Sequence, residues 1–165
     1  MKHVFVAVLA LIALASQEAF AASAPSVTSI TVDKAARRLT LWHHRTEIRS
    51  YRIALGGNPV GHKQQEGDSR TPEGRYTIDA RNPNSSFYLS LHISYPNRAD
   101  TASARRRGVS PGSAIMIHGS PGSLSTVNAL GFYPDWTAGC IAVSNSDIGE
   151  IFRAVRLGTP ILIRP

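Results

Sequence analysis

Residues 27–55 read VTSITVDKAARRLTLWHHRTEIRSYRIAL, and this stretch decides the fold. Apolar and polar side chains alternate along three runs of it, which is the pattern of half-buried β-strands. Turn-like breaks at residues 33–37 and 43–46 are short enough to join neighbouring antiparallel strands. We therefore predict a β-meander over residues 27–55, which Gly56 and Gly57 end.

The rest of the chain keeps this strand-rich character. Further strands are expected at residues 75–80, 87–94, 114–118 and 160–164. A short helix is expected at residues 100–108, and apolar residues at helical spacing predict an amphipathic helix at 146–156. The balance predicts a mainly β fold with small helices, a mixed sandwich or barrel-like sheet rather than a parallel α/β fold.

The N-terminus has the features of a secretory signal peptide. A short positive start at residues 1–3 precedes an apolar run at 4–15, which is shorter than the roughly 20 residues of a bilayer span. Residues 19–21, Ala-Phe-Ala, offer a cleavage site. We expect residues 1–21 to be removed and residues 22–165 to form a single catalytic domain, exported to the periplasm or cell wall without a remaining membrane span. A retained anchor or a buried N-terminal helix is the alternative.

The composition is basic, with 18 Lys and Arg residues against 11 Asp and Glu residues and a formal net charge of +7. A basic protein favours polyanionic surroundings. Nucleic acid is not an expected partner, because no nucleic-acid motif is present and the arginines are scattered apart from residues 105–107. An anionic cell wall or membrane surface suits this charge, and a merely solubilising basic surface is the alternative.

Cys140 is the one cysteine of the sequence, so no internal disulfide can form. An unpaired thiol in an oxidising compartment is a liability unless it is buried, paired with another chain or needed for reaction. His118 ends an apolar run and precedes Gly119, so its imidazole can face a cleft. A nearby imidazole can hold a thiol as the nucleophilic thiolate, and the backbone N–H groups of Gly139 and Cys140 are candidate donors for an oxyanion. A core cysteine and a surface histidine are the alternatives that these residues alone leave open.

A metal site is the competing chemistry. His62, His92 and His118 with Asp68 are the candidate ligands, as in a zinc peptidase. No HxxxH or HxH spacing is present, so neither a metal nor a cofactor is expected.

Five motifs occur in a fixed order along the chain. They are GDSRTPEGRYTI at 67–78, HG at 118–119, TAGCI at 137–141, NSDI at 145–148 and GTPI at 158–161. Together they resemble the YkuD-type L,D-transpeptidase domains, and the likeness covers roughly residues 27–164.

This resemblance implies a β-sandwich catalytic domain that takes part in cell wall biogenesis and cell shape. The cysteine of such a domain attacks an L,D-peptide bond of a peptidoglycan stem peptide, and water or an amine then resolves the thioester. By the same likeness Cys140 is the nucleophile, His118 is its base and the backbone carbonyl of Gly119 orients the imidazole. Asp135 is the alternative orienting group.

Two alanines depart from the family pattern. The family usually carries His or Arg before the Gly-Cys pair and Arg two residues after the cysteine, whereas this chain has Ala138 and Ala142. The pattern is similar to a branch that includes hydrolases releasing wall-linked protein. Candidates for the missing cation are Lys63, Arg70 and Arg75, with an ordinary loop or surface charge as the alternative for each. Candidates for other substrate contacts are His92, Tyr95 and Thr137, and His92 and Tyr95 are equally expected as packed strand residues.

Three functions therefore stay open. The first is L,D-transpeptidation on stem peptides. The second is L,D-hydrolysis that trims muropeptides or releases a wall-linked protein. The third is a catalytically silent wall-binding module of the same fold.

Overall fold

The computed structural model describes residues 26–121 and 134–165, where the chain forms eight strands and two helices. In chain order they are β1 (Ser29–Asp33), β2 (Arg38–His43), β3 (Thr46–Arg52), β4 (Gly74–Ser85), β5 (Tyr88–Ile93), α1 (Arg98–Arg106), β6 (Met116–His118), β7 (Ile141–Ala142), α2 (Asn145–Ala154) and β8 (Pro160–Arg164). The predicted signal peptide lies outside the described residues. Neither described helix is long and apolar enough to cross a membrane.

The predicted meander is confirmed. β1 pairs antiparallel with β2, and β2 pairs antiparallel with β3. Alternation along β1 and β2 buries Ile30, Val32, Leu39 and Leu41 almost completely. The free edge of β1 pairs in parallel with β8, which brings the two ends of the described chain together in the middle of the sheet.

β4 joins the two halves of the sheet. Its first residues pair with β8 and its later residues pair with β5, with register shifts on either side of Ala80. These irregularities let one long strand pass from one half of the sheet to the other. β4 runs five residues beyond the predicted end at residue 80. That extension is mostly polar and exposed and contains Pro83, so it shows no alternation in the sequence.

The sheet order is β3-β2-β1-β8-β4-β5-β6-β7, and its two edges meet. Ala54, just beyond β3, exchanges two backbone hydrogen bonds with Ala142 of β7, at 2.8 and 2.9 Å. Gly56 forms a further bridge with Thr137. The fold is thus mainly β and closes on itself, as predicted, and β7 is held between β6 and residues 53–57.

Both helices begin at strong caps. The Asn97 side chain accepts from two backbone N–H groups at the start of α1, and the Asp100 side chain accepts from the Asn97 N–H. Ser144 caps α2, which buries Ile148 and Ile151 in the core. These caps start each helix one or two residues before the predicted position, and each helix ends two residues before the predicted end.

Candidate active site

His118 ends the three-residue strand β6 and is almost completely buried. Its Nδ1 lies 2.6 Å from the carbonyl oxygen of Gly119. A carbonyl only accepts, so Nδ1 carries the hydrogen and Nε2 is left as the basic nitrogen. The geometry therefore matches the predicted orientation by a backbone carbonyl.

Burial lowers the pKa of His118, and the hydrogen bond to the Gly119 carbonyl acts in the opposite direction. Two aromatic rings enclose the imidazole: Phe87 at 4.5 Å and Trp136 at 5.7 Å between ring centroids. Removing water from around the ring disfavours its charged form. His118 is therefore neutral at neutral pH and can accept a proton.

Gly119 has no space for a side chain. A Cβ added there would lie 2.7 Å from the Phe87 carbonyl oxygen and closer still to Asn145 Oδ1. Asn145 Oδ1 in turn accepts from the Ser120 N–H at 2.8 Å. The close packing fixes the Gly119 peptide, and with it the carbonyl that holds the imidazole.

Cys140 follows a turn that Thr137 closes. The Thr137 hydroxyl donates to the Cys140 carbonyl at 2.8 Å and accepts from the Gly139 N–H at 3.1 Å. Gly139 has a φ of +130°, and a Cβ there would lie 2.6 Å from the Arg70 carbonyl oxygen. Only glycine fits such a position.

The thiol lies on the same face of the sheet as His118. β6 and β7 pair in parallel, with Ile117 opposite Ile141 and His118 opposite Ala142. Continuing that register by one residue puts Cys140 opposite Met116, and alternate residues of a strand share a face. The Met116 N–H hydrogen-bonds the sulfur, which fits this placement. This register puts Cys140, which immediately precedes β7, on the same face of the sheet as His118 of β6.

Burial raises the pKa of the Cys140 thiol. The Met116 N–H and the positive charge of Lys63 act in the opposite direction without overcoming burial. The Sγ lies 3.6 Å from the Ala114 carbonyl oxygen, within reach of a weak S–H donation. A raised thiol pKa and a lowered imidazole pKa both favour the neutral pair over a thiolate beside an imidazolium.

The thiol opens into a cavity of about 260 Å³. The lining residues are Lys63, Glu66, Gly67, Gly112, Ser113, Ala114, Ile115, Ala138 and Cys140. Lys63 is only 4% exposed, and its Nζ donates to Asp68 Oδ1 at 2.8 Å and to the Gln65 carbonyl at 3.1 Å. The structure thus places Lys63, alone among the predicted cations, in the lining of the cavity that holds the thiol.

Asp68 organises the loop that carries Lys63. Burial opposes its ionisation, but hydrogen bonds from Lys63 and from the backbone N–H groups of Gln64, Arg70 and Gln65 lower its pKa to about 2. Asp68 is therefore an anion that neutralises the buried lysine at any physiological pH.

The remaining predicted substrate contacts lie elsewhere. The Arg70 guanidinium lies beside Gly61, whereas its backbone carbonyl faces Gly139. His92 pairs with Asp79 at 2.5 Å. Tyr95 is a core residue whose hydroxyl donates to the Pro111 carbonyl at 2.8 Å, and burial raises its pKa to about 12. The Thr137 hydroxyl makes two bonds within its own turn, so its position suits a residue that holds the turn.

Asp135, the alternative orienting group, has other partners, and Arg75, a candidate cation, does not line the Cys140 cavity. Asp135 accepts from the Arg37 guanidinium at 2.6 Å and from the Leu55 N–H at 2.8 Å. The group that accepts from His118 Nδ1 is instead the Gly119 carbonyl. Arg75 is exposed on β4. Asp135 instead joins the segment before Cys140 to the β1–β2 turn and to the chain beyond β3.

The histidines considered for a metal lie in separate environments. His62 accepts from the Glu73 N–H at 2.9 Å and reaches Asp100 at 3.1 Å, while His92 pairs with Asp79. Within residues 26–121 and 134–165, no group of three metal-binding side chains is brought together.

Sequence reasoning missed Phe87 and Trp136, the two rings that enclose His118. Trp136 directly precedes the TAGCI motif, and an aromatic residue beside a nucleophile turn was the available signal. Phe87 lies 31 positions before His118 in the sequence, and only the β5–β6 pairing brings them together.

The comparisons with known proteins agree with this fold. The model of the YkuD L,D-transpeptidase catalytic domain matches residues 28–163. YafK of Escherichia coli (strain K12), which carries an L,D-transpeptidase name, is 32% identical over 110 residues. That alignment covers 66% of this chain and 37% of YafK.

Solved structures share the fold. A mutant of Pgp2, the helical cell shape determining protein of Campylobacter jejuni, superposes with a TM-score of 0.67 at 23% identity, over 84% of this chain and 47% of that chain. Bd1075 of Bdellovibrio bacteriovorus gives 0.61 at 27% identity, over 84% and 48%. An L,D-transpeptidase from Mycobacterium smegmatis gives 0.56 at 17% identity, over 85% and 59%.

This mainly β fold is that of an L,D-transpeptidase catalytic domain. The chain belongs to the YkuD L,D-transpeptidase catalytic domain family. The matched region is less than two thirds of the length of these relatives.

Proposed function

We propose that this chain is an exported cysteine enzyme that acts on peptidoglycan stem peptides through a thioester at Cys140. The observation that carries the proposal is the arrangement of the site. His118 is held through Nδ1 by the Gly119 carbonyl, which leaves Nε2 as the basic nitrogen. The β6–β7 register supports a thiol on the same face, immediately before β7. A thiol, a base and an orienting group are the parts that covalent acyl transfer requires.

The first half-reaction starts from the neutral pair. As Sγ attacks the carbonyl carbon of an L,D-peptide bond, Nε2 of His118 takes the thiol proton. The C–N bond then breaks, the imidazolium gives this proton to the leaving amine, and the acyl group remains on Cys140 as a thioester. The Gly119 carbonyl stabilises the imidazolium, because it accepts from Nδ1 throughout.

The second half-reaction uses the same nitrogen. Nε2 takes a proton from water or from an acceptor amine as that group attacks the thioester carbon. The C–S bond breaks, the proton passes to the sulfur, and the thiol is restored. Water gives hydrolysis and an amine gives transpeptidation.

The tetrahedral intermediate needs a donor for its oxyanion, and we assign this role to the Cys140 N–H. This N–H belongs to the turn that Thr137 closes beside the thiol. The Gly139 N–H, also predicted as a donor, bonds the Thr137 hydroxyl instead. Losing one oxyanion donor typically costs about 3 kcal/mol in the transition state.

Mass spectrometry of the protein with defined muropeptides tests this function. Wild-type chain should gain the mass of an acyl group and release an amine product, whereas Cys140→Ala should do neither. His118→Ala should lose turnover nearly as completely, because nucleophile and base act as a unit. Turnover by the Cys140→Ala protein would disprove the proposal, and binding of stem peptides without any acylation of the wild type would favour a silent wall-binding module.

A further inference from the structure

The Trp136 side chain has an unexplained donor beside the proposed base. Its Nε1 is buried, and it has no hydrogen-bond partner among residues 26–121 and 134–165. It is the one such side-chain atom among those residues. An indole N–H only donates, and a buried donor without a partner is unfavourable by about 1–3 kcal/mol.

The ring that carries this donor belongs to the site. Its centroid lies 5.7 Å from that of His118 and 6.0 Å from that of Phe87. Trp136 also immediately precedes Thr137, the residue that closes the Cys140 turn. The unsatisfied N–H therefore belongs to a ring that packs beside the proposed base and next to the turn of the nucleophile.

The other tryptophan shows what a structural indole looks like in this fold. Trp42 lies on β2, and its Nε1 donates to the Thr31 hydroxyl at 2.9 Å. The chain contains only these two tryptophans. The Trp42 N–H has a partner within the sheet, whereas the Trp136 N–H has none among the described residues. A buried polar group without a partner needs an explanation.

We propose that Trp136 is a substrate-binding residue whose indole N–H donates to an oxygen of the bound stem peptide; the inference rests on the proposed function. Because His118 Nε2 gives its proton to the leaving amine, the ring beside His118 meets the leaving-group side of the substrate. The oxygen that suits the donor is a carbonyl or carboxylate of that amino acid. The cavity that Lys63 and Cys140 line would then bind the part of the stem peptide that forms the thioester.

Two tryptophan variants test the assignment. Trp136→Phe keeps a ring over His118 and removes the N–H, and Trp42→Phe is the matched control. With a tetrapeptide muropeptide, Trp136→Phe should raise KM about ten- to a hundredfold, the equivalent of one lost hydrogen bond to a polar or charged oxygen. Its thermal midpoint should fall less than that of Trp42→Phe, which loses a bond already made in the free protein. Trp42→Phe should leave KM unchanged.

The opposite pattern would overturn the proposal. A Trp136→Phe protein with wild-type KM and a lowered thermal midpoint would mean that the indole N–H serves packing, for example against an aromatic face.

A binding measurement keeps this test separate from that of the proposed function. In a Trp42→Phe, Cys140→Ala chain, Trp136 is the sole tryptophan, so its emission reports on the site. A saturable change in emission on adding the tetrapeptide supports the assignment, even if the wild type showed no turnover. No change at concentrations that saturate a calorimetric titration of the same chain, or no binding at all, refutes it.

Discussion

At the scale of single residues, the neutral state of the pair decides how activity depends on pH. Burial lowers the pKa of His118 and raises the pKa of Cys140. The active form carries one proton on the pair, because Nε2 must first be free and the leaving amine must later receive a proton. Activity is lost below the imidazole pKa, where the pair holds two protons, and above the thiol pKa, where it holds none.

We therefore expect a broad bell-shaped profile of kcat/KM. Its acidic midpoint should lie below the ordinary histidine value of about 6.5 and its alkaline midpoint above the ordinary thiol value of about 8.5. Steady-state rates across this range check the prediction, and alkylation of Cys140 should accelerate only at alkaline pH. A thiol alkylated rapidly at pH 6 would show an ion pair instead.

Thr137 offers a second test at this scale. Thr137→Val keeps the shape of the side chain and removes both bonds of the turn, to Gly139 N–H and to Cys140 carbonyl. The unfolding free energy should fall by about 1–3 kcal/mol, since two buried groups lose partners. Displacement of the thiol should lower kcat about a hundredfold. Thr137→Ser should restore most of both, and a Val variant with wild-type kcat would show that the turn holds without its hydroxyl.

At the scale of elements, the loop between β3 and β4 is a built part of the site. Lys63 lies in the cavity wall, and Asp68 fixes it together with three backbone N–H groups. His62, in the middle of the same loop, contacts Asp100 of α1, whose other oxygen accepts from Tyr76 at 2.9 Å. The loop is thus tied to the sheet and to α1, and the cavity is formed before a substrate arrives.

Asp68→Asn tests this organisation. It leaves the charge of Lys63 buried and unpaired, so the unfolding free energy should fall by about 3 kcal/mol. Glu150→Gln is the control, because the Arg49–Glu150 pair is more exposed and should contribute less than about 1 kcal/mol. Equal effects of the two changes in denaturant titrations would contradict the prediction.

The same pair has a defined acid dependence. The folded pKa of Asp68, about 2, lies below its unfolded value of 3.8, so its stabilisation is present above pH 3.8. It is lost as the pH falls from about 4 towards 2, and Asp68→Asn should lack this part of the acid sensitivity.

Sequence patterns predicted the strands and the helix whose apolar and polar residues recur with a regular period, and they missed the elements without such a period. The meander at residues 27–55 and helix α2 follow from periodicity, and His118 and Cys140 from their motifs. β7 is only two residues long, and its pairing with Ala54 joins parts of the chain 88 positions apart, which no local pattern shows. For Tyr95 and His92 the sequence leaves a cleft position and a packed position equally open, because a strand pattern does not say which polar side chain finds a partner.

At the scale of the whole molecule, closure of the sheet determines what can surround the nucleophile. β7 lies between β6 and residues 53–57, so the chain after Cys140 is bonded on both sides. Ala142 is completely buried in this arrangement. The position where the family usually carries an arginine is therefore a packed part of the sheet with no cation.

This closure bears on the choice between water and an acceptor amine. Both resolve one thioester, and crosslinking wins only where the acceptor is held better than water. A cation at position 142 could make a charge-assisted bond to a stem-peptide carboxylate, worth about 1.5–3 kcal/mol, and Ala142 cannot. Lys63 is the cation in the cavity, but its Nζ is already bonded to Asp68 and to the Gln65 carbonyl. Neither Ala142 nor Lys63 therefore offers the acceptor peptide an unoccupied cationic group to bind its carboxylate.

We therefore predict that hydrolysis, or transfer to a simple amine, exceeds crosslinking of stem to stem by about tenfold, the equivalent of one missing charged bond. Tetrapeptide muropeptides and protein-linked muropeptides, offered together and followed by mass spectrometry, measure this ratio, with Cys140→Ala as the blank. Trimmed peptides or released protein should dominate. Abundant crosslinked dimers without cleavage products would show that the acceptor is anchored from another direction, for which Trp136 at the leaving-group side would be the first residue to substitute.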